Sequence, residues 1–185
     1  ALTSIETPEG LQTLGASAFE GCSSLTNVVL RKGITEVSIK AFKFCKALKE
    51  VVVPEGVTKL GNYAFHYCTA LETVVLPASL ERIGLNGFGN CSKLSKVTCY
   101  ALVPPTLTGN VFANTPNGKA LFVPAGSIAQ YQTTANWKAP SFASVTSGLD
   151  KVETSAQTQQ ATDALQGIYT LQGVRLGEAE MWPLL

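Results

Sequence analysis

Four of the five cysteines, Cys22, Cys45, Cys68 and Cys91, recur at intervals of 23 residues, and their thiols are the most reactive groups the chain repeats. Zinc-binding thiolates come in pairs two to four residues apart, and this spacing does not supply them. Stacked on successive turns of a coil, the Cα atoms would lie within bridging range. Side chains that project in parallel are nevertheless badly oriented for a disulfide. The column therefore reads as small buried thiols whose S–H groups bond weakly to neighbouring backbone. Acid–base chemistry has little material: His66 is the single histidine, and Asp150 and Asp163, the only aspartates, fall together in a polar stretch. A Ser-His-Asp arrangement or a histidine–carboxylate metal site lacks its parts in the repeats. Glu36, Glu50, Glu55, Glu72 and Glu81 occupy variable positions, as solvated faces do. Two of them could stand at glycosidase spacing, but no pocket signal surrounds them. Neither a phosphate-binding loop nor a dinucleotide fingerprint follows a strand. The expectation is a non-enzyme without metal or cofactor.

The same interval governs the residues that must hold those thiols. Phe19, Phe42, Phe65 and Phe88 share it, as do Leu25, Leu48, Leu71 and Leu94. Taking Leu25 to Leu30 as a reference strand, the positions of Leu25, Val28 and Leu30 are apolar in nearly every copy and should point inward. Cys99, at the position of Leu30 and Leu76, should be core too. Pro8, Pro54 and Pro77 follow the strand and mark its exit, with Arg31 breaking the pattern. Shorter apolar pairs follow each turn: Leu11 with Leu14, Ile34 with Val37, Val57 with Leu60, Leu80 with Ile83. They read as a second, shorter strand. The Ala-Phe-x-x-Cys box is too short for an α-helix and reads as a 3₁₀ or irregular turn. A fixed period of this length with Leu and Cys markers specifies a leucine-rich-repeat solenoid. The expected class is mainly β, right-handed, with short parallel strands, little α-helix and a C-terminal cap containing one short helix.

Four regions are expected. Residues 1–103 form about four and a half repeats. Residues 104–146 form the cap, because Pro104-Pro105 interrupts the pattern and Phe112 follows Phe88 by 24 residues, with Thr115 in the cysteine slot. Leu121 to Pro124 reads as a last strand, and Ser127 can cap a short helix leading to Trp137. Tyr131 and Trp137 read either as a plug for the end of the core or as a sugar-stacking platform. Residues 147–166, rich in Ser, Thr, Gln and Ala, read as a linker. Residues 167–185 read as a short hairpin-like tail.

Formal charge is +1 with no basic run, so neither nucleic acid nor an anionic membrane surface has an electrostatic footprint here. No apolar run reaches the length of a membrane span. Recognition is then left to the surface columns. The outward strand column reads Glu6, Val29, Val52, Val75 and Thr98; its three valines form an exposed apolar stripe that reads first as a stabilising β-branched ladder and second as a binding surface. Beside it run Asn27, Glu50, Thr73 and Lys96, and Thr26, Lys49, Glu72 and Ser95. A second candidate surface gathers Lys40, Lys43, Phe44, Tyr63, His66 and Tyr67 beside the turn box; Phe44 and Tyr67 replace Gly21 and Asn90 of other copies. Aromatics with basic neighbours suit an interface, and they also suit packing across the turn.

The consensus Ile/Leu-x-x-Ile-x₃-Ala-Phe-x-x-Cys-x-x-Leu-x-x-Val-x-Leu-Pro resembles the BspA-like leucine-rich repeats of bacterial surface proteins over residues 2 to about 103. Val123-Pro124-Ala125-Gly126-Ser127 with Tyr131 and Trp137 is similar to that family's closing segment. Gly167 to Leu176 resembles the opening of a type IX secretion sorting domain, whose second half is missing. The resemblance implies an extracellular or cell-surface protein that engages a protein or glycan on a host or microbial surface, with its export signal outside these residues. The alternative is a structural spacer within a larger surface protein.

Overall fold

Alternation of inward and outward residues sets the strands. In a computed structural model, residues 1–137 and 142–147 are described. The repeats contribute a long and a short strand each, and every strand pair that forms is parallel. The long strands are β1 (Ser4–Glu6), β3 (Asn27–Val29), β5 (Glu50–Val52), β7 (Thr73–Leu76), β9 (Lys96–Cys99), β11 (Lys119–Val123) and β12 (Phe142–Ser147). β1 pairs with β3, while β5, β7, β9, β11 and β12 form a five-stranded sheet in that order. The short strands β2 (Thr13–Leu14), β4 (Glu36–Val37), β6 (Lys59–Leu60), β8 (Arg82–Ile83) and β10 (Thr106–Leu107) form a second one. Val28, Val51, Val74, Val97 and Leu121 face inward and are buried, as are Val37, Leu60 and Ile83 from the other sheet.

A third row of hydrogen bonds links the turn boxes. The N–H of Phe42 donates to the carbonyl of Ala64, and that of Phe65 to Gly87, each at 2.8 Å. Two residues on, Phe44 and Tyr67 donate to His66 and Gly89. The residues between them bond locally instead, Lys43 to Lys40 and His66 to Tyr63. The box is thus a turn whose alternate amides reach the next repeat, and that alternation carries the backbone through left-handed φ. Where Arg31 stands in the proline slot, its free N–H is satisfied by the Thr7 hydroxyl at 2.8 Å, and its guanidinium pairs with Glu6.

Inside, the phenylalanines stack: Phe19 on Phe42 at 5.3 Å, Phe42 on Phe65 at 5.2 Å, and Phe65 on Phe88 at 5.4 Å between ring centroids. Burying each one is worth about 1.5–3 kcal/mol. The expected break after Val103 interrupts neither sheet. β10 pairs with β8, β11 pairs with β9, and Phe112 stacks on Phe88 at 5.8 Å. The 24-residue step is absorbed by the loop that exposes Leu102 and Val103.

Tyr131 and Trp137 are wholly buried and close the core, so the plug holds and the sugar platform does not. The Tyr131 hydroxyl donates to Ala101 O at 2.9 Å, Trp137 Nε1–H donates to Pro105 O at 2.8 Å, and Trp137 stacks on Phe142. The helix is α1 (Ile128–Thr133), preceded by a 3₁₀ turn at Ala125–Ser127. Ser127 makes no side-chain cap, contrary to expectation, because that turn places it in right-handed backbone and buries it. Apart from Ser147, the expected linker and tail, with the sorting-domain resemblance, lie outside the described residues.

Candidate functional site

The cysteine column does what its spacing suggests. The Sγ–H groups of Cys45, Cys68 and Cys91 donate to the carbonyls of Phe19, Phe42 and Phe65, each at 3.2 Å, and all five cysteines are free thiols. Burial pushes Cys45 and Cys91 up to about 12 and Cys99 up to about 11, so these thiols are inert as nucleophiles near neutrality. Among the described residues no group of three or more His, Cys, Asp or Glu side chains could hold a metal, and no helix is long and apolar enough to cross a membrane.

The strand face is less open than its sequence suggests. Val29, Val52 and Val75 are half-buried rather than exposed. Val52 lies against Val75, Val75 against Thr98, and Thr98 against Phe122. Phe122, which the repeat count did not place, extends the column, and Lys96 lies over its ring at 5.1 Å. Glu50 and Lys96 flank Thr73 one column over. This is a β-branched ladder sharing its own cover.

The turn face is built differently. The residue two places after each box phenylalanine is left-handed in every turn: Gly21, Phe44, Tyr67, Asn90 and Asn114. So is the residue two places before in the first four turns: Ser17, Lys40, Tyr63 and Asn86. Glycine and asparagine occupy such backbone at low cost, whereas bulky side chains there are strained by about 1–2 kcal/mol each. The second and third turns nevertheless carry Lys40 (φ 58°), Phe44 (63°), Tyr63 (60°) and Tyr67 (61°).

These residues make one cluster. Phe44 and Tyr67 stack at 5.1 Å, Lys43 Nζ lies 4.6 Å from the Phe44 centroid, and His66 meets Tyr67 edge-on at 4.5 Å and Tyr63 at 5.2 Å. The imidazole fits because turn four has Gly89, where a Cβ would fall 2.8 Å from His66 Cδ2. His66 Nε2 meets the Asn90 amide at 3.0 Å, and Asn114 Nδ2–H donates to Asn90 Oδ1. His66 Nδ1 is buried with no hydrogen-bond partner among the described residues. Burial, with Lys43 nearby, holds the imidazole below its usual pKa, so it is neutral at pH 7. Lys43 pairs with Glu20 at 3.3 Å, and Tyr67 stays 38% exposed. All six residues expected here are adjacent; Asn90, Asn114 and Gly89 complete the cluster, and an asparagine in a glycine slot was their only sequence signal.

An open depression of about 390 Å³ lies elsewhere, with Glu72, Ser92, Lys93, Asn117 and Lys119 in its lining. It shares no lining residue with the aromatic cluster.

Residues 1–121 match the BspA type Leucine rich repeat region in six copies. The pneumococcal vaccine antigen PcpA is similar in structure, with 27% identity and a TM-score of 0.58 over 68% of this chain and 31% of that one. The leucine-rich-repeat protein TpLRR of T. pallidum has 29% identity and a TM-score of 0.53 over 58% of this chain and 52% of that one. The chain thus spans about a third and a half of these two proteins. No curated protein matches it. By the six repeats and by the solenoid they build, the chain belongs to the BspA-type leucine-rich-repeat family.

Proposed function

We propose that the chain is a non-catalytic, extracellular binding or adhesion module. Its recognition surface is the turn face around Lys40, Lys43, Phe44, Tyr63, His66 and Tyr67. The observation that carries this is the backbone: four bulky residues occupy left-handed positions that neighbouring turns fill with Gly, Ser or Asn. Stability alone favours the small residues, and strain of this kind concentrates where a protein does its work. Stacking of Phe44 on Tyr67 covers one face of each ring and Lys43 Nζ lies over Phe44, so a partner meets ring edges, tyrosine and lysine. That favours a protein partner over a sugar lying flat. Surface location is supported by the vaccine-antigen relative.

The test compares the wild type with Phe44→Gly/Tyr67→Asn and with Val52→Glu, against surface proteins and glycans of host and microbial cells. Loss of binding in the turn-face variant alone, with an unchanged circular dichroism spectrum, supports the reading. Loss only in Val52→Glu moves recognition to the strand face. Absence of any binding supports the alternative, a structural spacer within a larger surface protein.

A further inference from the structure

The sequence contains two Asn–Gly pairs, Asn86-Gly87 and Asn117-Gly118, and the fold treats them oppositely. Asn–Gly is the pair in which a backbone nitrogen most readily attacks the preceding side-chain amide, since glycine puts no Cβ in the way. The reaction needs that nitrogen free and the chain able to bring it onto the amide carbon.

At the first pair neither condition is met. The Gly87 N–H donates to Gly84 O at 3.0 Å, and the Asn86 carbonyl accepts from Gly89. Gly87 itself is buried, so tightly that a Cβ would fall 2.7 Å from Ile83 Cγ2. At the second pair both residues are exposed, and the Gly118 nitrogen makes no hydrogen bond among the described residues. Gly118 is left-handed, at φ 76°, in the bend before β11.

We infer that Asn117 is a site of spontaneous, enzyme-free deamidation. The Gly118 nitrogen forms a bond to Asn117 Cγ as the Cγ–Nδ2 bond breaks, and Nδ2 leaves as ammonia carrying the amide proton. Water then opens one of the two imide C–N bonds, leaving aspartate or isoaspartate. The sum is one water consumed and one ammonia released, with no change of oxidation state.

The new carboxylate appears on the rim of the depression that also holds Lys93 and Lys119. Lys119 is 2% exposed, hydrogen-bonded through Nζ to Thr115 Oγ1 and Pro116 O, with Phe112 and Phe142 beside it. No carboxylate pairs with it among the described residues. Deamidation therefore adds a second carboxylate to a depression whose lining already holds Glu72, Lys93 and the buried Lys119.

The test ages the purified chain at mildly alkaline pH and follows the more acidic species by ion exchange and peptide mapping. The first acidic species should map to residue 117, with modification at Asn86 slower by about tenfold or more, the factor a single retained hydrogen bond supplies. Asn117→Gln, an exposed substitution that leaves the fold alone, should abolish that first species. Mapping to Asn86 first, or an unchanged rate in Asn117→Gln, overturns the inference.

Discussion

Cys68 donates its Sγ–H to the carbonyl oxygen of Phe42, one turn back, at 3.2 Å. Thiol and ring positions are thereby locked to each other, because the box that carries the phenylalanine also offers the acceptor for the next cysteine. The thiols are consequently protected by geometry and by burial together. Titration of the native protein with an aromatic disulfide should show Cys22, the half-buried member at the first turn, reacting ahead of the four buried cysteines. Several fast thiols in folded protein would contradict the arrangement.

Phe65 has a ring on each side, whereas Phe19 has one and is half-buried. Phe65→Ala should cost about 3–5 kcal/mol. Phe19→Ala should cost clearly less, since part of its surface is already wet. Urea unfolding of the two variants measures both, and equal losses would remove stacking as the source of stability.

Lys40 sits in left-handed backbone at φ 58°, a conformation that asparagine adopts at lower cost. Lys40→Asn should therefore stabilise the fold, by up to about 1 kcal/mol. A lower melting temperature in that variant would show that the lysine is held there by packing.

Burial lowers Lys119 from an ordinary value of 10.5 to about 8. Between these two values the unfolded chain holds the proton and the folded one releases it, so this residue's contribution to stability rises with pH. Cys45, Cys91 and Cys99 work the other way: unfolded they ionise near 9, folded only near 11 to 12, so their contribution falls as pH climbs past 9. Stability should rise from pH 8 toward 9 and then decline. Lys119→Met should lose the rise and keep the decline.

His66 is likewise depressed below 6.5, here by burial first and Lys43 second. As pH falls through 6.5 the unfolded chain takes up a proton that the folded one resists, so stability drops on acidification. Tyr63, Tyr67, Asn90 and Lys43 surround the ring, and none is an anion. His66→Gln should flatten the acid limb of the pH–stability curve between pH 6.5 and 5.

Much of this was legible in the residues. Period alone placed the Phe, Cys and Leu columns and both strand sets, because a solenoid repeats its environment as it repeats its sequence. Pro104-Pro105 misled for a physical reason: the extra residue bulges outward with Leu102 and Val103, and the ladders close beneath it. The Val29, Val52 and Val75 stripe was read as exposed, but side chains stacked one turn apart cover each other. Phe44 and Tyr67 were visible as replacements of Gly21 and Asn90, yet strain is a property of φ, which no side-chain list displays. Lys119 gave no sign at all, since its burial depends on Phe142, a residue from the next strand over.

Up to three rows of inter-turn hydrogen bonds run along one direction, through the long strands, the short strands and the turn boxes, and the long-strand row is interrupted between β3 and β5. A pull applied between the two ends of the coil would load every row present at a turn at once, and no turn shares the load of a distant one. Such a chain would lengthen under tension in discrete steps, each releasing one repeat while its neighbours hold. It would behave as a graded shock absorber, and single-molecule extension traces should show increments set by 23 residues of slack.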